Sequence, residues 1–171
     1  MVKSLSAFFR TSISRGKEII TISEEIVHAR SYLEIQQFRY QDILTYEIDI
    51  PKDCYEYVIP KITLQPLIEN ALYHGIKNKR GGGKITVTAT MNDDNFMIYI
   101  SDNGIGMSEQ RLAQVREGIN SKTPSAKKIY GLYNVNERIR LKFGEEYGLE
   151  IESEYTKGTV VKVILPKYTD I

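Results

Sequence analysis

Two groups of residues in this 171-residue chain have types and spacing suited to chemistry. The first is Ile100-Ser101-Asp102-Asn103-Gly104-Ile105-Gly106-Met107, into which Phe96, Ile98 and Ile100 lead with strict alternation. The alternation predicts a buried strand that delivers Asp102 to a sharp turn. Gly104 and Gly106 allow the backbone there to adopt φ > 0 or to lie against a ligand without a Cβ in the way. A carboxylate shielded at such a strand end can accept a hydrogen bond from a flat ligand, and the exocyclic amine of adenine is one such donor. The second group is Asn70, His74 and Lys77, spaced about one helical turn apart and therefore able to share a face. An asparagine oxygen is a neutral hard ligand suited to Mg²⁺, which takes most of its other ligands from water and phosphate. Lys77 and His74 suit phosphate oxygens. Each group alone has a plainer reading. Asn103-Gly104 is also the commonest two-residue hairpin turn, and three polar residues can simply line a solvated helix face.

The surrounding pattern predicts what must hold these residues. A short helix with Leu5, Phe8, Phe9 and Ile13 on one face is expected after Ser4 and ends at Gly16. A second begins near Ser23 and turns Ile26, Ala29, Leu33 and Tyr40 inward, which makes His28 a plain surface histidine. From Ile43 to Ile50 the period becomes two, as in a half-buried strand closed by Pro51. A helix then presents Leu64, Leu67, Ile68, Ala71 and Leu72 on one side, with Pro66 in its first turn and Gly75 as its stop. Strands are expected at 85–90 and 96–101, and a short helix from Ser108 to Glu117. A polar loop follows from Gly118 to Lys128, then a helix from Leu132 to Phe143 stopped by Gly144. The chain closes with a hairpin of Leu149–Glu154 and Thr159–Leu165. Five strands and three helices after residue 42, with mixed connections, predict an α+β two-layer sandwich.

Composition removes several function classes. Lys and Arg number 23 against 22 for Asp and Glu, so no charge excess points to nucleic acid as a partner. The single cysteine, Cys54, rules out an internal disulfide and a thiolate metal cluster, in keeping with a reducing compartment. No run approaches the ~20 apolar residues of a membrane span. The basic, glycine-rich stretch Lys77–Gly83 lacks the lysine-serine or lysine-threonine ending of a phosphate-cradling loop. Met1-Val2-Lys3 runs directly into a helix-like pattern, as at the start of an excised piece.

Taken together, LQPLIENALYHG, DNGIGM and YGLYNVNERI resemble the asparagine box and the two glycine boxes of the superfamily comprising histidine kinases, gyrase B and the large heat-shock chaperone ATPase. EEIVHARSYLEIQQFRY upstream is similar to the LytS/YesM-type bacterial sensor histidine kinases. The resemblance implies a Bergerat ATP-binding fold: a mixed five-stranded sheet with three helices on one face over residues 41–171. Residues 1–40 would be a helical remnant of a dimerisation and phosphoacceptor region. It implies ATP and Mg²⁺ as ligands, and an ATP site made of Asn70, His74, Lys77, Asp102, Gly104, Gly106, Met107, Gly131 and Leu132. Asn70 would coordinate Mg²⁺, Asp102 would bind the adenine amine, and Gly104 and Gly106 would admit the base. Gly131 and Leu132 would close the phosphate end at a helix N-terminus, and Met107 to Tyr130 would form a flexible lid.

The same resemblance implies transfer of the γ-phosphoryl group to a histidine on an upstream helix, and from there to a response regulator. The whole protein would be a homodimer anchored in the bacterial cell membrane, with this portion in the cytoplasm. The chain departs from the pattern in three places. Tyr73 stands where a lysine is usual, Ile129 stands where the second glycine box opens with another glycine, and the Pro-His-Phe-x-x-Asn acceptor motif is missing. No catalytic side chain is therefore expected in this chain itself. Two other readings stay open: a hydrolytic ATPase of the same fold, and a partner-binding domain without nucleotide. Against the first, Pro66 occupies the position of the ATPases' water-activating glutamate and cannot act as a base.

Overall fold

The computed structural model describes residues 17–121 and 129–169; the helix expected over residues 4–13 lies outside them. A short strand, β1 (Ile19–Thr21), leads directly into α1 (Ile22–Arg39). Thr21 and Glu24 cap that helix reciprocally, the Glu24 N–H on Thr21 Oγ1 at 3.2 Å and the Thr21 N–H on Glu24 Oε2 at 3.0 Å. Strand β2 (Leu44–Asp49) and a 3₁₀ turn (Lys52–Cys54) precede β3 (Val58–Pro60), which pairs antiparallel with β1 in a two-stranded ribbon. Strands of three residues carry too few alternating positions for periodicity to reveal them, and neither was anticipated.

The main sheet follows the expected pattern. Helix α2 (Leu64–Asn70), β4 (Gly83–Met91), β5 (Asn95–Asp102), α3 (Glu109–Asn120), α4 (Tyr130–Phe143), β6 (Gly148–Glu154) and β7 (Gly158–Pro166) complete the chain. Five strands are ordered β2-β4-β5-β7-β6, with β2 and β4 parallel and every other pair antiparallel. This is the mixed sheet of an α+β sandwich. Phe96, Ile98 and Ile100 of β5 and Val163 and Leu165 of β7 point into the helical layer and are almost fully buried. They join Ile22, Leu33, Leu64, Leu67 and Ile139 in one hydrophobic cluster. Helix α1 thus shares its core with the sheet, although it precedes residue 41.

The parallel pair decides where the site lies. Two parallel neighbours need a crossover connection, and here α2 supplies it. A helix that returns the chain from the end of β2 must finish near the start of β4. Strand β5 runs antiparallel to β4, so it ends there too, with Asp102 opposite Ile85. Strand β7 starts at the same level, with Thr159 opposite Asp102. The C-terminal end of α2 and the last residue of β5 are therefore brought together by topology.

Two local expectations are corrected. His28 is not on the surface: it is 1% exposed, because α1 lies against α2 and the ring faces Gln65, with Nε2 2.8 Å from Gln65 Oε1. Gly75 does not stop its helix. The helix widens after Asn70 into a π turn, Ala71–Ile76, closed by the Lys77 N–H on the Leu72 carbonyl at 2.9 Å. Inserted π turns of this kind recur at functional sites.

Candidate functional site

Asp102 sits at the floor of a cavity of about 490 Å³ between the sheet and the helices. The end of β5 lifts its carboxylate into the helical layer, where it is 9% exposed. Gly104 N–H donates to Oδ1 at 2.8 Å. Burial pushes the Asp102 carboxyl up to about 6, against the opposing pull of the Gly104 and Thr159 backbone N–H groups and of the Lys79 charge. The remaining acceptor capacity of this carboxylate has no side-chain donor among the described hydrogen bonds, which suits it to a donor arriving with a ligand.

The glycines around Asp102 are there for contact. Gly75 approaches so closely that a Cβ on it would stand 2.4 Å from Asp102 Oδ1, and one on Gly104 would stand 2.3 Å from the Gly75 carbonyl carbon. Ile105 N–H donates to Gly75 O at 3.2 Å and locks the pair. Gly106 has φ +63°, and a Cβ there would meet Glu154 O at 2.0 Å. The turn is stitched to the β6–β7 hairpin by the Thr156 N–H on Ile105 O (2.7 Å) and the Met107 N–H on Ser153 Oγ (2.9 Å). Asn103-Gly104 is thus no hairpin turn but a crossing between β5 and the π turn.

The structure brings Asn70, His74, Asp102, Gly106, Met107 and Leu132 to the wall of this one cavity. Gly104 lies behind Asp102 in the floor. Lys77 is placed elsewhere: its ammonium lies over the rings of Tyr40 and Tyr73, at 5.7 and 5.6 Å from their centroids. The extra residue of the π turn and the tyrosine at position 73 together turn it away. Gly131 also faces away from the cavity and lines a second groove beside Pro66, leaving Leu132 as the α4 residue that reaches the wall.

Sequence reasoning missed Asn78, Arg111 and Thr159, which line the cavity. Asn78 Nδ2 donates to the Tyr73 carbonyl at 3.0 Å and caps the π turn, a role no α-helical spacing foretells. Arg111 is the one Lys or Arg on the cavity wall among the described residues. Its place three residues after the Ser108 cap could have drawn attention, because an N-terminal turn beside a glycine box faces the same opening.

Within the segment Met107 to Tyr130, expected as a flexible lid, Glu109–Asn120 forms the packed helix α3. Ser108 Oγ caps α3 through the Arg111 N–H, and Leu112, Val115 and Ile119 are buried against the sheet and α4. Asn136, fully buried on α4, ties the end of α3 to β6: its Nδ2 donates to Ile119 O at 2.8 Å, and Leu149 N–H donates to its Oδ1 at 2.8 Å. Residues 122–128 lie outside the described part.

Among the described residues, no three His, Cys, Asp or Glu side chains gather in a way that could hold a metal ion. A divalent cation carried by nucleotide phosphates needs only one protein oxygen, and the Asn70 amide fits that requirement.

Comparison with known proteins agrees with this geometry. Residues 1–44 match the histidine kinase family model. The chain is 38% identical over 166 residues to the sensor histidine kinase YesM of Bacillus subtilis, and 31% identical to BtsS of Escherichia coli. Each alignment covers 97% of this chain but only 27% of the relative, so the chain spans about a quarter of their length. The catalytic domain of histidine kinase ThkA superimposes with a TM-score of 0.62 at 15% identity, covering 87% of this chain and 95% of that one. The histidine kinase domain of a blue-light activated kinase from Erythrobacter litoralis gives 0.62 at 14% identity, over 97% and 72%. Residues 60–169, the span holding every residue of the cavity, match the model of the histidine kinase-, DNA gyrase B- and HSP90-like ATPases, and the chain belongs to that family.

Proposed function

We propose that this chain is the nucleotide-binding catalytic part of a sensor histidine kinase, which holds Mg-ATP so that its γ-phosphoryl group faces a histidine on an upstream helix. The observation that carries the reading is the buried, glycine-enclosed carboxylate of Asp102 in the same cavity as the Asn70 amide. Asp102 accepts the exocyclic amine of adenine. Gly104 and Gly106 keep the floor thin enough for a flat base, and Met107 and Leu132 enclose it. Asn70 offers its amide oxygen toward the metal, and His74 and Arg111 stand at the cavity wall for phosphate oxygens. Arg111 takes the charge-neutralising part that Lys77, held by two aromatic rings, does not. The metal, when bound, neutralises phosphate charge; the protein's own contribution is orientation, which is most of what phosphoryl transfer requires.

The chain has two histidines. His28 is enclosed between α1 and α2 and has no path to a γ-phosphorus. His74 is anchored in the wall of the binding cavity, so it cannot swing into line for attack. The acceptor belongs to a preceding helix, with residues 1–40 as the end of that dimerising region, in a homodimeric protein anchored at the membrane. The phosphoryl group then passes to a response regulator. A solved complex of ThkA with the response regulator TrrA shows that a kinase of this fold engages such a partner.

The test pairs binding with transfer. Calorimetry should give tight Mg-ATP binding that Asn70→Ala weakens far more than it weakens adenosine. Incubation with γ-labelled ATP should leave the chain unlabelled, and addition of the acceptor helix should place acid-labile label on its histidine. Label on His28, or equal loss of ATP and adenosine affinity in Asn70→Ala, would refute the assignment.

A further inference from the structure

Helix α1 makes more than apolar contacts with the helix that carries Asn70. Three of its side chains, Glu25, His28 and Tyr32, lie on one stripe and are all buried, at 1%, 1% and 6% exposure. Each engages α2 at a different level. Helix α2 has no capping side chain of its own at Thr63. The Glu25 carboxylate replaces one, accepting the N–H groups of Ile62 (3.0 Å), Thr63 (2.7 Å) and Leu64 (2.8 Å). The bond to Ile62 holds a β-branched residue at φ +59°, a conformation that persists only when its surroundings enforce it. One turn along, His28 meets Gln65, and Gln65 Nε2 donates to Glu69 Oε1 at 2.8 Å. At the far end, Tyr32, one turn beyond His28 on the same buried stripe, interacts with Glu69 and Tyr73.

Glu69 and Tyr73 flank the switch from α to π geometry, which falls between Asn70 and Ala71. That switch decides the angular offset between Asn70 and His74, because a π turn rotates each residue less than an α turn does. Tyr32 therefore clamps both sides of the feature that aims the metal-site amide. An apolar seam of the same area would bury as much surface but would let the helices slide. Directional contacts at three successive levels resist sliding, and a misplacement of about 1 Å at a reacting centre can cost about a hundredfold in rate.

From this we infer that Tyr32 is a positioning residue for the Asn70 corner, and that α1 sets the metal-dependent part of nucleotide affinity through it. The inference rests on the nucleotide reading of the cavity given above.

The experiment uses Tyr32→Phe, which keeps the ring and removes only the hydroxyl, with Glu69→Gln as the conservative partner that retains an acceptor. Two quantities are read: the ratio of Mg-ATP to adenosine affinity, and the side-chain amide resonance of Asn70 in the nucleotide-free protein. Tyr32→Phe should lower the ratio by about tenfold, as expected for one lost net hydrogen bond, leave adenosine affinity within about twofold, and shift the Asn70 resonance. Glu69→Gln should stay near wild type in both. An unchanged ratio with an unmoved Asn70 resonance, even alongside a lower melting temperature, would make Tyr32 purely structural and overturn the inference. Wild-type protein that fails to bind Mg-ATP would instead overturn the nucleotide reading; the Asn70 resonance in free Tyr32→Phe then still decides whether the clamp exists.

Discussion

The Asp102 carboxylate fills the space that a side chain on Gly75 would need: a Cβ there would come within 2.4 Å of Oδ1 and 2.8 Å of Cγ. Gly75 therefore shapes the Asp102 corner of the cavity, which it also lines, although it belongs to the π turn. Gly75→Ala should displace the carboxylate, lower adenosine affinity by tenfold or more, about 1.4 kcal/mol, and cost about 1–3 kcal/mol of stability through overpacking. Calorimetry and denaturant unfolding on one preparation read both. Wild-type adenosine affinity in this variant would show that the carboxylate need not stand where it does.

Asp102→Asn tests the proposed base contact with a nearly isosteric side chain. A hydrogen bond to a charged group contributes about 1.5–3 kcal/mol, so ATP and adenosine affinities should fall together by roughly ten- to a hundredfold. Circular dichroism should remain native. Unaltered binding would remove Asp102 from the site.

Titration of the same group couples stability to pH. Burial raises the Asp102 carboxyl from its ordinary 3.8 to about 6. The folded chain thus takes up this proton more readily than the unfolded chain, so its contribution favours folding below pH 4 and is lost as pH rises through 6. The difference corresponds to about 3 kcal/mol at neutral pH. The buried Glu25 carboxyl, raised by desolvation against its backbone hydrogen bonds, pushes in the same direction. Adenosine affinity should run the other way, weakening as pH falls through 6 and the acceptor gains a proton. Asp102→Asn should flatten the affinity profile and reduce the stability slope to what Glu25 contributes; a stability curve with the same slope in variant and wild type would assign the slope to another group.

Asn136 holds α3 to α4 and β6 with two buried hydrogen bonds. Asn136→Ala strands the Ile119 carbonyl and the Leu149 N–H, each worth about 1–3 kcal/mol when left unsatisfied. The expected result is a stability loss of about 2–5 kcal/mol, together with faster amide exchange throughout α3. In the wild-type protein, α3 amides should be well protected without nucleotide. Exchange at the rate of an unfolded segment would contradict the packed helix.

Slow hydrolysis is expected because Pro66 occupies the place of a water-activating carboxylate, and no other carboxylate besides Asp102 lines the cavity among the described residues. Steady-state turnover should lie far below 1 s⁻¹, the low end of ordinary enzymes. Turnover at that level would favour an ATPase over a phosphoryl donor.

What the sequence determined by itself was everything governed by local period and by short motifs. The alternation through Phe96, Ile98 and Ile100 placed Asp102 at a strand end, and the 3.6-residue face of Leu64, Leu67 and Ile68 placed Asn70 on a helix packed against that sheet. The three boxes carried the family. Only the tertiary structure decided what depends on contacts between distant segments. Whether His28 is solvated depends on α1 meeting α2, 37 residues away in sequence. Whether Lys77 reaches a phosphate depends on one inserted residue in a π turn, which no apolar spacing reports, and on two tyrosine rings that capture it. Gly75 looked like a helix stop because glycine commonly is one; its actual reason is an approach by Asp102 and Gly104 across the sheet's end. A glycine retained for lack of a Cβ and a glycine retained for its φ look identical in a sequence, and only the neighbour that would collide tells them apart.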